Sequence, residues 1–412
     1  MSAGKLKIGY FVLEGMNAFA TSYYFNYLFF YLQKHLGFGS LGNLTFSALN
    51  GFLYIFAALH GGRFAQKHGY FTALNLGFAG MTAALLAGLF LPTARGQLCV
   101  LLSWTGAICF TWPTLEALVS EGENARGLPR IVGIYNIVWA TCAALAFFTG
   151  GALVQTLGWQ SLFWLPATVH LLQLAIIRFL TKAHRALGQD AHSLAGCAGA
   201  ENPALPLQGV PPTPLARAVQ SITEQVDSAT AGIFVRMAWA ANPLAYVAIN
   251  TALPLIPDIA RRLDLSPMLA GFVCSVWMFA RLGAFCVLWR WTGWHYRFGW
   301  LISAYLLLIM SFAGLLLAPV LWTLVLAQLV FGWSIGLIYY SSLFYSMGAS
   351  ETKSVHGGVH EAAIGLGIFT GPAIGACALA FFPQHGNAST WAVTALLMVG
   401  LGLISVLRRP TI

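Results

Sequence analysis

Twelve mostly apolar stretches, each about the length needed to cross a bilayer, fill nearly all of this chain. A helix needs roughly 20 such residues to traverse the hydrocarbon layer. The stretches cover 8–32, 42–62, 70–91, 97–119, 131–155, 159–180, 232–256, 267–288, 299–318, 322–347, 357–382 and 388–407. Hydrophobic residues make up 58% of the chain and charged residues 8%, more apolar surface than one water-soluble core can bury. Unpaired backbone groups are costly in lipid and a helix pairs them locally, so the spans are expected to be α-helices. The expected fold class is an all-α membrane protein of twelve transmembrane helices.

Charge placement sets an orientation. The net charge of +9 is scattered over short loops and forms no basic patch, which argues against a nucleic-acid partner. With the N-terminus inside, fifteen basic residues fall on the cytoplasmic side, among them Lys5, Lys7, Arg63, Lys67, Arg130, Arg178 and Arg408. Only Lys34, Arg95, Arg261 and Arg262 fall on the other side. The positive-inside rule then places both termini in the cytoplasm of a multi-pass protein of the inner membrane. The first span is too long and too polar, with Glu14, Asn17 and Asn26, for a cleaved signal peptide. Cys99, Cys109, Cys142, Cys274, Cys286 and Cys377 lie in spans without CxxC spacing, and Cys197 lies in a loop. They read as small apolar filler, with no metal and no cofactor implied.

The spans divide into two sets of six. Residues 1–180 form an N-terminal bundle and residues 232–412 a C-terminal one, joined by a cytoplasmic linker over 181–231. The linker carries Pro203, Pro206, Pro211, Pro212 and Pro214 and reads as flexible, with one short amphipathic helix around 215–226. Phe147-Phe148-Thr149-Gly150-Gly151 is echoed 221 residues later by Ile368-Phe369-Thr370-Gly371-Pro372. Tyr54-Ile55-Phe56-Ala57 is echoed 223 residues later by Trp277-Met278-Phe279-Ala280. Two pseudo-symmetric six-helix bundles with a site at their interface are the layout of a secondary transporter.

Three segments carry a resemblance to the major facilitator superfamily. Gly62-Arg63-Phe64-Ala65-Gln66-Lys67-His68-Gly69 resembles its loop signature, with Gln66 where the family usually has Asp. The segment from Leu288 to Arg297 resembles the signature's degenerate second copy, and Gly367 to Gly375 resembles its Gly-Pro helix motif. The resemblance implies alternating access around a central cavity. It also implies that span eight lines that cavity, and that a basic–acidic contact forms between the loop after span two and the inner end of span four. Here the polarity is swapped, so Arg63 or Lys67 would gate against Glu116.

Intramembrane ionisable groups are costly and are functional candidates by default. Arg281 reads as a substrate anchor or, alternatively, as a structural partner of Glu361. Burial disfavours the charged form of a carboxyl group, a property that proton coupling exploits. Glu14 is therefore the expected proton-coupling carboxylate, with a partner in Arg236 as the alternative. His360 and Glu361 are further proton-handling candidates. His356 and His360 sit four apart but lack a third metal ligand in sequence. Glu14, Asn17, Thr21, Tyr24 and Tyr31 share a stripe of span one, and Trp239, Pro243, Tyr246 and Asn250 a similar stripe of span seven. With Trp112, Asn136, Trp139, Tyr339 and Arg281 they make the expected substrate-binding set. Trp104, Tyr135, Tyr340 and Tyr345 are further aromatics expected near the cavity.

The function this supports is secondary active transport of a small organic solute, coupled to protons, by a monomer in the bilayer. Export of amphiphilic or drug-like compounds is the alternative. An integral-membrane enzyme or a non-transporting receptor on the same fold is the alternative of another class. No Walker motif points to ATP hydrolysis and no nucleophile–base constellation points to an enzyme.

Overall fold

A computed structural model describes residues 3–123, 127–197, 228–349 and 353–408, with side chains for 4–123, 127, 130–186, 229–345 and 363–408. In the first half the helices are α1 (Ala3–Leu36), α2 (Ser40–His68), α3 (Tyr70–Gly88), α4 (Ala94–Ile108), α5 (Trp112–Ser120), α6 (Leu128–Leu157) and α7 (Ser161–Cys197). The second half has α8 (Ser228–Arg262), α9 (Pro267–Cys274), α10 (Val276–Arg290), α11 (Phe298–Leu317), α12 (Leu321–Ala349), α13 (Lys353–Phe381) and α14 (Ala388–Leu407). No strand occurs among the described residues. The sixth span continues as helix to Cys197, well into the segment expected as linker. The helix expected at 215–226 lies outside the described residues.

Among the described residues, eleven spans are long and apolar enough to cross a membrane, α4 with α5 and α9 with α10 each counting as one. The exception among the twelve is α1. Its 34 residues are ample in length, but Glu14, Asn17, Asn26 and Gln33 lower its hydropathy. Glu14, Asn17 and Asn26 are buried, so α1 turns its polar groups to protein and not to lipid. Large apolar side chains are instead exposed around the outside, such as Phe90, Phe179, Met310, Phe381 and Val399. That outward belt is what a bilayer solvates.

Two spans are broken. The fourth stops as α4 at Ile108 and resumes as α5 at Trp112, with Pro113 in its first turn. Pro113 has no N–H to give and starts a helix better than it continues one. The Thr111 hydroxyl covers part of the gap, donating to the Ile108 carbonyl at 2.8 Å. The eighth span breaks at Ser275, whose hydroxyl donates to the Phe272 carbonyl at 3.2 Å.

Helix ends alternate between two faces. The terminal face carries the start of α1 and the end of α14; the far face carries the α1–α2 and α8–α9 turns. The halves meet closely along α2–α13, α6–α9, α6–α10, α2–α8 and α1–α8. Among the described residues, α5 and α12 make no comparable contact.

The far face is where the halves are tied. Pro254 lacks an N–H, which leaves the Asn250 carbonyl without its helical partner; the Ser47 hydroxyl of α2 donates to it at 3.4 Å. One turn further out, Asn43 Nδ2 donates to the Pro254 carbonyl at 3.1 Å. At the rim, Asp258 accepts from Gln33 Nε2 at 2.7 Å and from the Ser40 hydroxyl, both of the other half. Arg261 completes the cluster at 2.7 Å from the same carboxylate. Ser40, Asn43, Ser47, Asn50 and Tyr54 follow one another at spacings of three and four along α2, a single helical stripe. Its outer part seals the seam and its inner part faces a cavity.

Candidate functional site: a polar cavity between the halves

Below the seal lies a cavity of about 220 Å³, lined from both halves. The N-terminal half contributes Glu14, Thr21, Ser22, Phe25 and Asn26 of α1, Asn50 and Tyr54 of α2, and Trp104, Thr105, Trp112 and Glu116 of the broken fourth span. It also gives Tyr135 and Trp139 of α6. From the C-terminal half come Tyr246 and Asn250 of α8, Trp277, Met278 and Arg281 of the eighth span, Tyr339 of α12, and Ile364 and Ile368 of α13.

Among the described residues Arg281 is the only cation of this lining, and it is 6% exposed. Its guanidinium carbon lies 4.7 Å from the Trp139 ring centre, 4.9 Å from Tyr339 and 5.4 Å from Phe285. Ring faces carry partial negative charge and hold a desolvated cation by about 2 kcal/mol or more. Rings leave N–H groups unsatisfied, however, and Arg281 Nε and Nη2 have no hydrogen-bond partner. Packing fixes this cage. A Cβ on Gly332 would meet the Trp277 carbonyl at 2.0 Å, and one on Gly336 would meet Ala284 Cβ at 2.5 Å. Small residues four apart thus draw α12 onto α10 and bring Tyr339, one turn on, against Arg281. The Trp139 indole donates to Asn136 Oδ1 at 2.9 Å, and Asn136 Nδ2 donates to the Val132 carbonyl at 2.9 Å. That chain of bonds holds the indole in place.

The acidic end is built from α1, α5 and α6. Glu14 is 1% exposed, with neither carboxylate oxygen in hydrogen-bonding geometry. The Tyr135 hydroxyl and the Glu116 carboxyl are its polar neighbours. Tyr135 and Trp139 stand one turn apart on α6, a rise of about 6 Å, so acid and base occupy adjacent levels of one chamber. Thr21 Oγ1, Asn26 Nδ2 and Trp104 Nε1 are also buried without partners. Buried polar groups are nearly always paired, so this cluster marks a surface that water or solute must complete.

Of the residues read from sequence, Glu14, Thr21, Trp112, Glu116, Trp139, Tyr246, Asn250, Arg281 and Tyr339 line the cavity. Four of the expected substrate contacts sit elsewhere. Asn17 donates to Thr111 Oγ1 at 3.2 Å inside the N-terminal half. Tyr24 is buried against Trp104, with ring centres 4.9 Å apart, and near Phe163. Asn136 is a support for Trp139, and Trp239 is exposed. The stripe drawn on α1 was too wide: at 3.6 residues per turn, Asn17 and Tyr24 lie roughly 60–80° round from Glu14 on the side away from Ala18 and Phe25. Arg63, Lys67 and Arg236 are exposed, whereas Glu116 faces the chamber. Lys7, not one of these, pairs with Glu123. The side chains of His356, His360 and Glu361 lie outside the described residues. Ser22, Asn26, Asn50, Thr105 and Trp277 were missed as lining. The α2 stripe of Ser, Asn and Tyr was the available signal for Asn50.

The sequence profile described as Major Facilitator Superfamily matches residues 10–371. This chain belongs to the major facilitator superfamily. It is therefore an integral multi-pass membrane transporter and not an enzyme. The human organic anion transporter MFSD10 (TETRAN) has a similar fold, with a TM-score of 0.64 at 14% identity over 98% of this chain and 100% of that one. The nucleoside transporter NupG gives 0.63 at 13% identity over 98% of both chains. Among curated proteins, the methylenomycin A resistance protein of Bacillus subtilis (strain 168) is 32% identical over 129 residues, 30% of this chain and 27% of that protein. Its namesake in Streptomyces coelicolor is 28% identical over 131 residues, 31% of this chain and 28% of that protein. The matched segment thus spans little more than a quarter of either relative.

Proposed function

We propose that this superfamily member is a proton-coupled secondary carrier for a small organic solute. It works as a monomer in the inner membrane with both termini in the cytoplasm. The observation that carries the reading is the cavity shared by both halves, tied shut at the far face, with a buried Glu14 carboxyl beside the Tyr135 hydroxyl on its wall. In this conformation the solute path is closed at Asp258 and Asn43. Rocking the halves would break those few bonds, which involve hydroxyl, amide and carboxylate groups that water solvates readily. The basic terminal face fits the cytoplasmic side, since cytoplasmic loops accumulate Lys and Arg.

Proteoliposomes holding the purified chain test this. A labelled solute panel is screened for accumulation driven by an imposed pH gradient, with Glu14→Gln alongside wild type. Gradient-driven accumulation that Glu14→Gln reduces to facilitated equilibration supports coupling; accumulation by Glu14→Gln at the wild-type level removes Glu14 from the mechanism. A second reading, export of a drug-like compound, draws on the partial similarity to the two resistance proteins. Inverted vesicles decide the direction: uptake on internal acidification marks an exporter that exchanges solute for protons.

A further inference from the structure

We propose that the solute is an organic acid bearing one carboxylate on a flat, apolar body, with the carboxylate bound by Arg281. This rests on the reading of the cavity as the carrier's binding site. The hydrogen-bonding inventory of the wall supports it. Arg281 Nε and Nη2, Trp104 Nε1 and Asn26 Nδ2 are buried donors without acceptors, so the occupant has to supply oxygen or nitrogen lone pairs. A guanidinium presents its N–H groups as a planar fork that a carboxylate matches with two parallel bonds. The guanidinium carbon lies over the faces of three rings, which accept no conventional hydrogen bond, and Nε and Nη2 of that fork are left without an acceptor.

The rest of the lining sets charge and shape. Among the described residues Arg281 is the single cation of the lining, and Glu14 and Glu116 are acids on the same wall. A second carboxylate on the solute would gain no second cation and would meet those two acids, so dicarboxylates are disfavoured by like-charge repulsion. Trp104, Trp112, Trp139, Trp277 and Tyr339 supply flat apolar faces for the body of the acid. A cationic solute would find Glu14 and Glu116 but would leave the Arg281 donors without an acceptor and add a like charge to the same chamber.

Benzoate serves as the probe, with benzamide, benzylamine and phthalate as comparisons of similar size. Binding to the full chain in detergent is read by thermal shift and by quenching of tryptophan emission, independently of any transport assay. Benzoate is expected to stabilise the protein at concentrations where benzamide, benzylamine and phthalate have little effect. Arg281→Gln should weaken benzoate roughly 10- to 100-fold, the range for a charge-assisted bond, with Arg281→Lys in between. Should Arg281→Gln fail to fold, the four-ligand comparison on wild type decides alone. Equal binding of benzamide and benzoate, or unchanged benzoate affinity in a folded Arg281→Gln, overturns the proposal. So does the absence of any benzoate response. Gradient-driven accumulation of a neutral solute in proteoliposomes would then leave the carrier reading standing without the acid.

Discussion

Gly151 offers the sharpest test of the seam. It sits on α6 near the far face, and a Cβ there would lie 2.0 Å from the Pro267 carbonyl oxygen and 2.7 Å from its carbon, in the other half. A carbon needs about 3.3 Å to a carbonyl oxygen, so the two backbones must part by about 1 Å. Neither atom belongs to a side chain that can rotate aside. Overpacking of this kind costs about 1–3 kcal/mol, and here the strain falls only on the conformation in which α6 and α9 touch. Gly151→Ala should therefore shift the two-state equilibrium away from far-face closure by roughly 5- to 150-fold. Gly61 is the control. A Cβ there would meet the Cys109 carbonyl at 2.1 Å, but that contact lies within the N-terminal half, so Gly61→Ala should lower thermal stability without opening the seam. Spin labels at Leu157 and Leu269, both exposed, report the far-face distance in a cysteine-free background. The distance distribution should lengthen for Gly151→Ala and stay put for Gly61→Ala. An unchanged distribution for Gly151→Ala would refute the assignment of this contact to a separable interface.

Three further outcomes are expected. Asp258→Asn removes the charge that accepts from Gln33, Ser40 and Arg261; at this partly exposed rim the loss is about 1 kcal/mol, read as faster labelling of Asn50→Cys by a membrane-impermeant maleimide added at the far face. Asn136→Ala frees the Trp139 indole and should weaken solute binding about three- to tenfold with the melting temperature preserved; a drop in stability without a change in binding would make Asn136 purely structural. His295, in the loop before α11 and stacked on Phe344 at 4.0 Å, has its imidazole pushed down to about 4 by burial. The unfolded chain therefore takes up that proton first, near pH 6.5, so stability is full above about 6.5 and declines as pH falls toward 4. The loss amounts to roughly 3 kcal/mol, and melting curves of wild type against His295→Phe over that range should show the wild type losing more.

Much of the molecule was legible in the chain. Spans of about 20 apolar residues admit only helix in lipid; the stretch 97–119 reads in sequence as one continuous span, whereas the helix stops at Ile108 and resumes at Trp112 with Pro113 in its first turn. Ionisable residues in such spans are rare enough that Glu14, Glu116 and Arg281 stood out, and all three line the cavity. Span one, read at 8–32, is a helix despite its low hydropathy, because a helix turned toward a polar chamber can carry residues that one facing lipid cannot.

What the sequence determined, then, was the set of helices, their order and the costly charges within them. Each of these depends on local chemistry, since a backbone N–H or a buried charge must be compensated wherever the helix goes. The rotation of each helix about its axis was decided only in three dimensions. Turning α1 by roughly 60–80° would exchange Asn17 and Tyr24 for Ser22 and Asn26 on the wall, and no periodicity in a polar helix selects between them. That choice comes from close backbone approaches such as Gly332 on the Trp277 carbonyl and Gly51 on Ile368 and Phe369, where contacts between residues distant in sequence fix which faces meet.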